Sequence, residues 1–158
     1  MGSKRLNEAI EFIRAEREKI WLNEPADIDR VKHRIGAKGQ SLTVVFFANR
    51  EVSAIARSLF GFRELALSDD PVDLETLKRV TLQLLGGASG MFGQMVYNMT
   101  DAQKIYSRAL EALPEANTRQ EYQALIEELI HYSVRLEQWT DRAIPWKPLS
   151  DLFMASLK

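Results

Sequence analysis

Cysteine is absent from the 158-residue sequence, which excludes a disulfide framework, a thiolate zinc site and cysteine nucleophile chemistry. Histidine is almost as scarce. His33 and His131 leave a catalytic triad or a histidine-built metal centre little to draw on. An excess of one charge is missing too. The 21 Lys and Arg against 22 Asp and Glu leave a net charge of −1, without the basic footprint of a general nucleic-acid binder. Long apolar runs are lacking: the longest, from Val44 to Ala48, falls far short of the ~20 residues that span a bilayer. Behind Met1-Gly2-Ser3-Lys4-Arg5 there is no apolar core of signal-peptide length. The expected location is therefore cytoplasmic, with residues 1–5 read as a vector remnant or a disordered start.

What is present describes an ordinary globular chain. Hydrophobic residues make up 46% and charged residues 27%, with only 8 Gly and 5 Pro, which argues against disorder over most of the length. Such a chain can bury roughly 70% of its unfolded surface without a staple, so one domain over residues 1–158 is expected.

Helical periodicity dominates. Leu6, Ala9, Ile10, Ile13, Ile20 and Trp21 share one stripe, which predicts a helix from about Leu6 to Leu22, closed by Pro25. Asp27–Ile35 reads as a short second helix, and Gly36 and Gly39 mark a loop. Asp69-Asp70-Pro71 is a break in which Asp70 caps and Pro71 begins the next helix. From Val72 onward Leu74, Leu77, Val80, Leu84, Ala88, Met91 and Met95 keep helical spacing. A further helix runs from Thr100 or Asp101 to near Leu113-Pro114. Asn117 or Thr118 then caps a long helix whose seam is Tyr122, Leu125, Leu129, Tyr132, Leu136, Trp139 and Ala143, a heptad pattern. Pro145 and Pro148 end it, and Leu149–Leu157 forms a short terminal helix.

Ser41–Phe60 carries two readings. Leu42, Val45, Phe46, Val52, Ile55, Ala56, Leu59 and Phe60 fit one broad helical stripe. Thr43-Val44-Val45-Phe46-Phe47 is also β-branched and aromatic, which suits a short strand followed by a helix that Asn49 caps at Arg50. A lone strand would need a partner, from Phe62–Leu67 or from a second subunit.

Four glycines stand in one helical stretch: Gly86, Gly87, Gly90 and Gly93. Each costs about 1 kcal/mol against alanine inside a helix. They mark a hinge, a tight crossing inside the core, a subunit interface or a ligand contact, with Met91, Phe92, Met95 and Tyr97 as neighbours. No lysine follows them as a phosphate loop requires, and a helical pattern rather than a strand precedes them, so nucleotide-cradling readings fail. Glu128-Leu129-Ile130-His131 matches half of a di-iron motif, but no second copy exists. Glu127 and Glu128 are expected on an exposed face, as is the alternation of Arg14, Arg17 and Lys19 with Glu11, Glu16 and Glu18. The segment from Trp139 to Leu149 holds Trp139, Arg142 and Trp146. It either docks a partner or folds Trp146 back over the end of the bundle.

The run Gly39-Gln40-Ser41-Leu42-Thr43-Val44-Val45-Phe46, with Glu51, Ala54 and Leu59-Phe60-Gly61, resembles the strand–helix unit of CheC-type chemotaxis phosphatases. That resemblance implies a strand at Ser41–Phe47. It implies no phosphatase, because the family's helical Glu-x-x-Asn pair has no counterpart near Leu84–Gly87.

The expected fold is mainly α: a single-domain bundle of five to seven helices, with one short strand or hairpin within residues 41–67 as the open element. The core should draw on Ile10, Ile13, Val45, Ile55, Leu59, Leu77, Leu84, Leu125, Leu129, Leu136 and Trp139. No catalytic, cofactor or metal site is expected. The leading expectation is a non-enzymatic binding, adaptor or regulatory protein that uses helical surfaces and self-associates as a homodimer or binds a protein partner. The alternative is a small-molecule-binding or enzymatic bundle with its pocket beside Gly86–Gly93.

Overall fold

The heptad seam near the C-terminus becomes the axis of the fold, helix α6 (Arg119–Ala143). Tyr122, Leu125, Leu129, Tyr132, Leu136 and Trp139 are buried, and Ile126, Ile130 and Ser133 widen the covered stripe so that α6 is packed on two sides. Its start is fixed locally. Thr118 Oγ1 accepts from the Glu121 N–H at 3.1 Å, while the Glu121 carboxylate accepts from the Asn117 N–H, also at 3.1 Å. This reciprocal cap satisfies donors that the first helical turn leaves open.

The computed structural model describes residues 3–37, 42–68, 72–94 and 98–157. Among them are six further helices: α1 (Lys4–Glu18), α2 (Ile28–Ile35), α3 (Leu42–Leu67), α4 (Leu74–Phe92), α5 (Thr100–Ala112) and α7 (Trp146–Ser156). A short 3₁₀ turn, Leu113–Glu115, follows α5. The most extensive packing is between α3 and α6. Helix α1 lies on α6 and α5, α4 lies on α5 and α3, and α2 bridges to α3, α5 and α6. The result is a mainly α bundle, within the expected range of helix number.

The strand expectation is corrected. Leu42–Leu67 is one helix of 26 residues. Val44, Val45, Ala48, Val52, Ile55, Ala56 and Leu59 lie on its inner face, and burial against α6 outweighs the β-preference of the Val-Val-Phe-Phe run. Asn49 does not cap anything. It is buried in mid-helix, and its Nδ2 donates to Thr140 Oγ1 at 2.9 Å, Asp141 Oδ1 at 3.0 Å and the Glu137 carbonyl at 3.2 Å. This amide ties α3 to the last turns of α6. Asn49→Ala would strand those acceptors, and an unfolding free energy lower by about 1–3 kcal/mol is expected in chemical denaturation.

Other boundaries also moved. Helix α1 begins at Lys4, capped by Ser3 Oγ, inside the stretch expected to be a remnant or disordered start. It ends at Glu18 rather than Leu22. Beyond it Ile20 turns inward and Trp21 outward. The short second helix forms as expected, with Asp27 as its cap rather than its first residue, and Gly36 closes it at φ 75°. A Cβ there would sit 2.4 Å from Thr100 Oγ1 and 2.5 Å from the Asp101 amide nitrogen, so only glycine fits. Gly39 and Ser41 lie outside the described residues, as do Asp69, Asp70 and Pro71. The cap of α4 is Asp73, whose carboxylate takes the Thr76 N–H and hydroxyl, both at 2.9 Å. Those two hydrogen bonds hold the Asp73 carboxyl below its ordinary pKa.

Polar groups in the core are paired between helices. The Thr81 hydroxyl donates to the Leu77 carbonyl at 2.6 Å, so the Tyr122 hydroxyl, 2.8 Å away, must donate to Thr81. Tyr106 and Ser133 share a second contact at 2.8 Å. Burial pushes the phenols of Tyr106 and Tyr132 upward, so both stay neutral and neither offers a phenolate base. Of the expected core, Leu84 is only half-buried. Leu85 takes the inner position.

Candidate docking surface

The glycine stretch does not break α4, which runs through Gly86, Gly87 and Gly90 to Phe92 and is closed by Gly93. Nor do Gly86, Gly87 and Gly90 form a tight crossing within the chain. A Cβ built at any of them would find no atom of another element within 4 Å. Only Gly93 is crowded, by the Gln103 side chain. Both intramolecular explanations for the first three glycines therefore fail. Gly86→Ala and Gly90→Ala should each raise stability by about 0.5–1 kcal/mol in thermal melts, since alanine removes backbone freedom without meeting a neighbour.

Beside these glycines runs a groove between α3 and α4 of about 300 Å³. Helix α3 lines it with Glu51, Ala54, Ile55 and Ser58, and α4 with Gln83, Leu84, Gly87, Ala88 and Met91. On α4 the half-buried Leu84 and Met91 fall with Gly87 at spacings of three and four, which lays them in a row along the groove. This is the pocket expected beside Gly86–Gly93, but its membership differs. Phe92 is fully buried, stacked on Tyr106 with ring centroids 5.6 Å apart, and belongs to the core. Met95 and Tyr97 lie outside the described residues.

The C-terminal candidates also separate. Trp139 is 1% exposed beneath the guanidinium of Arg34 and offers no surface to a partner. Arg142 is exposed. Trp146 does turn back, resting on Phe46 at 5.7 Å and donating its indole N–H to the Asp141 carbonyl at 3.1 Å, yet it remains part-exposed. It starts α7, a helix with no fully buried residue, of which Leu149 packs against the core. Trp146, Leu149, Phe153 and Leu157 follow at spacings of three, four and four, one stripe of an amphipathic helix. Leu152, Phe153, Met154 and Leu157 are 69%, 63%, 56% and 65% exposed. Phe46 on α3 continues the same apolar surface toward the bundle.

Between α1 and α6 the expected solvated face proves partly internal. Glu128 is buried. One oxygen accepts from Arg14 Nε and Nη2 at 3.2 and 3.1 Å, the other from Arg17 Nη1 at 3.1 Å. The bond to Glu128 pushes the Arg14 pKa further up. Beside this clamp is a hollow of about 440 Å³ between α1 and α6, whose polar lining includes Arg17, Glu18, Arg135 and His131. Its charges are matched within the wall: Arg17 pairs with Glu18 at 3.0 Å and with Glu128, and Arg135 lies 3.8 Å from Glu18. His131 and His33 are both exposed, as expected. Among the described residues no cluster of His, Asp and Glu could hold a metal ion, and no helix is long and apolar enough to cross a membrane.

Sequence reasoning missed Phe153, Leu157 and Glu51 as surface-lining residues. The stripe on α7 was the available signal, since a helix of that composition either covers a core or is covered itself.

Comparison with known proteins agrees with this architecture. No curated protein and no solved structure matches the chain. A family model for the cucumopine synthase C-terminal helical bundle domain matches residues 6–142, ending just before α7. Covering α1 through α6 almost entirely, that match makes the chain a member of the cucumopine synthase C-terminal helical bundle domain family.

Proposed function

We propose that this protein is a non-enzymatic protein-binding module, an adaptor or regulator that acts through its helical surfaces. The observation that carries the reading is α7: an amphipathic helix seated on the bundle through Leu149 and through Trp146 on Phe46, whose stripe is exposed beyond them at Phe153 and Leu157. Exposed apolar surface of this extent marks a contact site in a soluble chain. The family's description, a C-terminal domain of a synthase, suits a bundle whose task is to touch another folded unit.

The test is sedimentation of the tagged chain in an extract of its native host. The wild type is expected in a complex heavier than the chain itself, and Leu152→Asp with Phe153→Asp should return it to free-chain mass with an unchanged melt. A wild type that sediments as the free chain would sink the reading.

One observation favours a second reading, a small-molecule site. The α3–α4 groove sets Glu51, Ser58 and Gln83 around an apolar floor, as a ligand cleft does. In a Phe153→Asp background, anilinonaphthalene sulfonate fluorescence should then rise on binding and fall when Gly87→Phe fills the groove. No change on filling it would remove this alternative.

A further inference from the structure

We propose that the cleft between the end of α1 and the outer edge of α6 binds a small organic carboxylate with a flat apolar body, held between Arg135 and Trp21. The cleft takes no residue from α7 or from the α3–α4 groove, so it is a third surface, separate from both.

The cleft has two halves that share a wall. A hollow of about 440 Å³ adjoins one of about 240 Å³, and Glu18, Leu22 and Arg135 line both. On the α6 side His131, Arg135 and Gln138 follow at spacings of four and three, so three donor-bearing side chains stand on consecutive turns of one helix edge. Val134 and Leu22, both half-buried, add apolar wall. A few polar groups set into an apolar wall are what a small-molecule site needs. Charge in the wall balances, but hydrogen bonding does not. Arg17 is committed on two sides, to Glu18 and to Glu128. Arg135 is not. Its Nη1 donates to the Arg17 carbonyl at 3.2 Å, in the last turn of α1, and Glu18 stands 3.8 Å from that same nitrogen, beyond hydrogen-bond reach. The Nε–Nη2 edge, which can grip a carboxylate with two parallel bonds, has no acceptor among the described residues. The bond to α1 thus anchors the guanidinium and leaves its forked edge unused.

Trp21 sets the shape of the ligand. Helix α1 ends at Glu18 and Ile20 turns into the core, which throws the next side chain outward. Trp21 is 60% exposed and lines the smaller hollow together with Arg135. Among the described residues no ring and no cation stacks on it. A bare indole beside an arginine with an unused fork suits a flat ring joined to a carboxylate: the ring lies on the indole and the carboxylate takes the fork. Glu18 is the competitor. It is the one acid within 4.0 Å of Arg135 among the described residues, so an incoming anion must outweigh it.

The chain has three tryptophans, Trp21, Trp139 and Trp146, so each indole N–H reports its own site by NMR. Full-length protein is titrated with naphthoate, with acetate and with the neutral naphthalenemethanol. Naphthoate is expected to move the Trp21 signal saturably, with a Kd of roughly 1 mM or tighter. Acetate lacks the ring and the alcohol lacks the charge, so each should bind at least about tenfold more weakly. Arg135→Lys keeps the charge but loses the fork, and should weaken naphthoate about tenfold. Glu18→Gln should act in the opposite direction and tighten it about threefold, because the competing charge is gone. Glu18 is 61% exposed and glutamine keeps an oxygen for Arg17, so this variant decides the matter even where Arg135→Lys lowers the melt. No saturable shift at Trp21 up to about 10 mM naphthoate overturns the proposal. Equal binding of the alcohol overturns it too, as does a Glu18→Gln chain that binds no tighter than the wild type. A shift confined to Trp146 also overturns it, because the ring would then sit on the apolar surface of α7.

Discussion

Trp139→Ala is expected to lower the unfolding free energy by about 3–5 kcal/mol, the range for emptying an aromatic site in a packed core. For a chain of this length that is a fall of roughly 10–15 °C in melting temperature. Trp139 is 1% exposed near the C-terminal end of α6, close to where Asn49 of α3 reaches the same helix. Its loss opens a cavity on α6 beneath Arg34 of α2, at the end of the axial helix. Trp139→Phe should behave differently. The indole Nε1 is buried without a hydrogen-bond partner among the described residues, so removing it costs little beyond a modest loss of volume. A drop of about 1–2 kcal/mol is expected, and the gap between the two variants in urea titrations checks that the ring, not the N–H, holds the site. Equal losses would place the stabilisation on the nitrogen instead.

Glu128→Ala is the second large effect. Its carboxylate is the only acid that joins both Arg14 and Arg17 among the described residues, and it links α1 to α6 from within the interface. Removing one partner of a buried charge cluster costs more than the pair contributes, because the remaining cations lose their counter-charge and cannot fully rehydrate. Arg14 is close to half-exposed and recovers water easily, whereas the Arg17 side chain is 18% exposed and does not. A loss of about 2–3 kcal/mol is expected, below the value for a fully enclosed pair. Arg17→Met combined with Glu128→Leu should recover part of it, since two apolar groups of similar reach leave no orphan charge. If the double substitution melts lower than Glu128→Ala, the clamp contributes more than charge balance.

Much of the architecture could be read from apolar spacing. The α6 seam, the Thr118 cap, the short helix ending at Ile35 and the end near Leu113 were legible because each depends on neighbours a few residues away. Ser41–Phe47 was not. Its β-branched and aromatic residues favour a strand locally, and the resemblance to a strand–helix unit pointed the same way. Only the buried stripe facing α6, a long-range contact, decides for helix. Glu128 was misjudged for a related reason. A Glu-Glu pair on a helix looks solvated until two arginines arrive from more than a hundred residues away. The site was legible in halves. The glycine stretch showed that something unusual lay on α4, but its groove depends on Glu51 and Ile55 of α3, which periodicity cannot bring across. Trp139 was expected both in the core and at an interface and lies in the core, and Phe92, expected at the glycine face, is core too, because aromatic residues serve both places equally well.

The central claim is that α7 stands outside the folding unit and is held for contact. Ending the chain after Ile144 tests it most directly, with the melt and the sedimentation of the truncated protein measured side by side. The account predicts a melting temperature about 2–4 °C below that of the full chain, because no residue of α7 is fully buried and it rests on the bundle mainly through Trp146 and Leu149, together with loss of the heavier species. A truncated chain that melts many degrees lower, or that keeps its heavier partner, would contradict it.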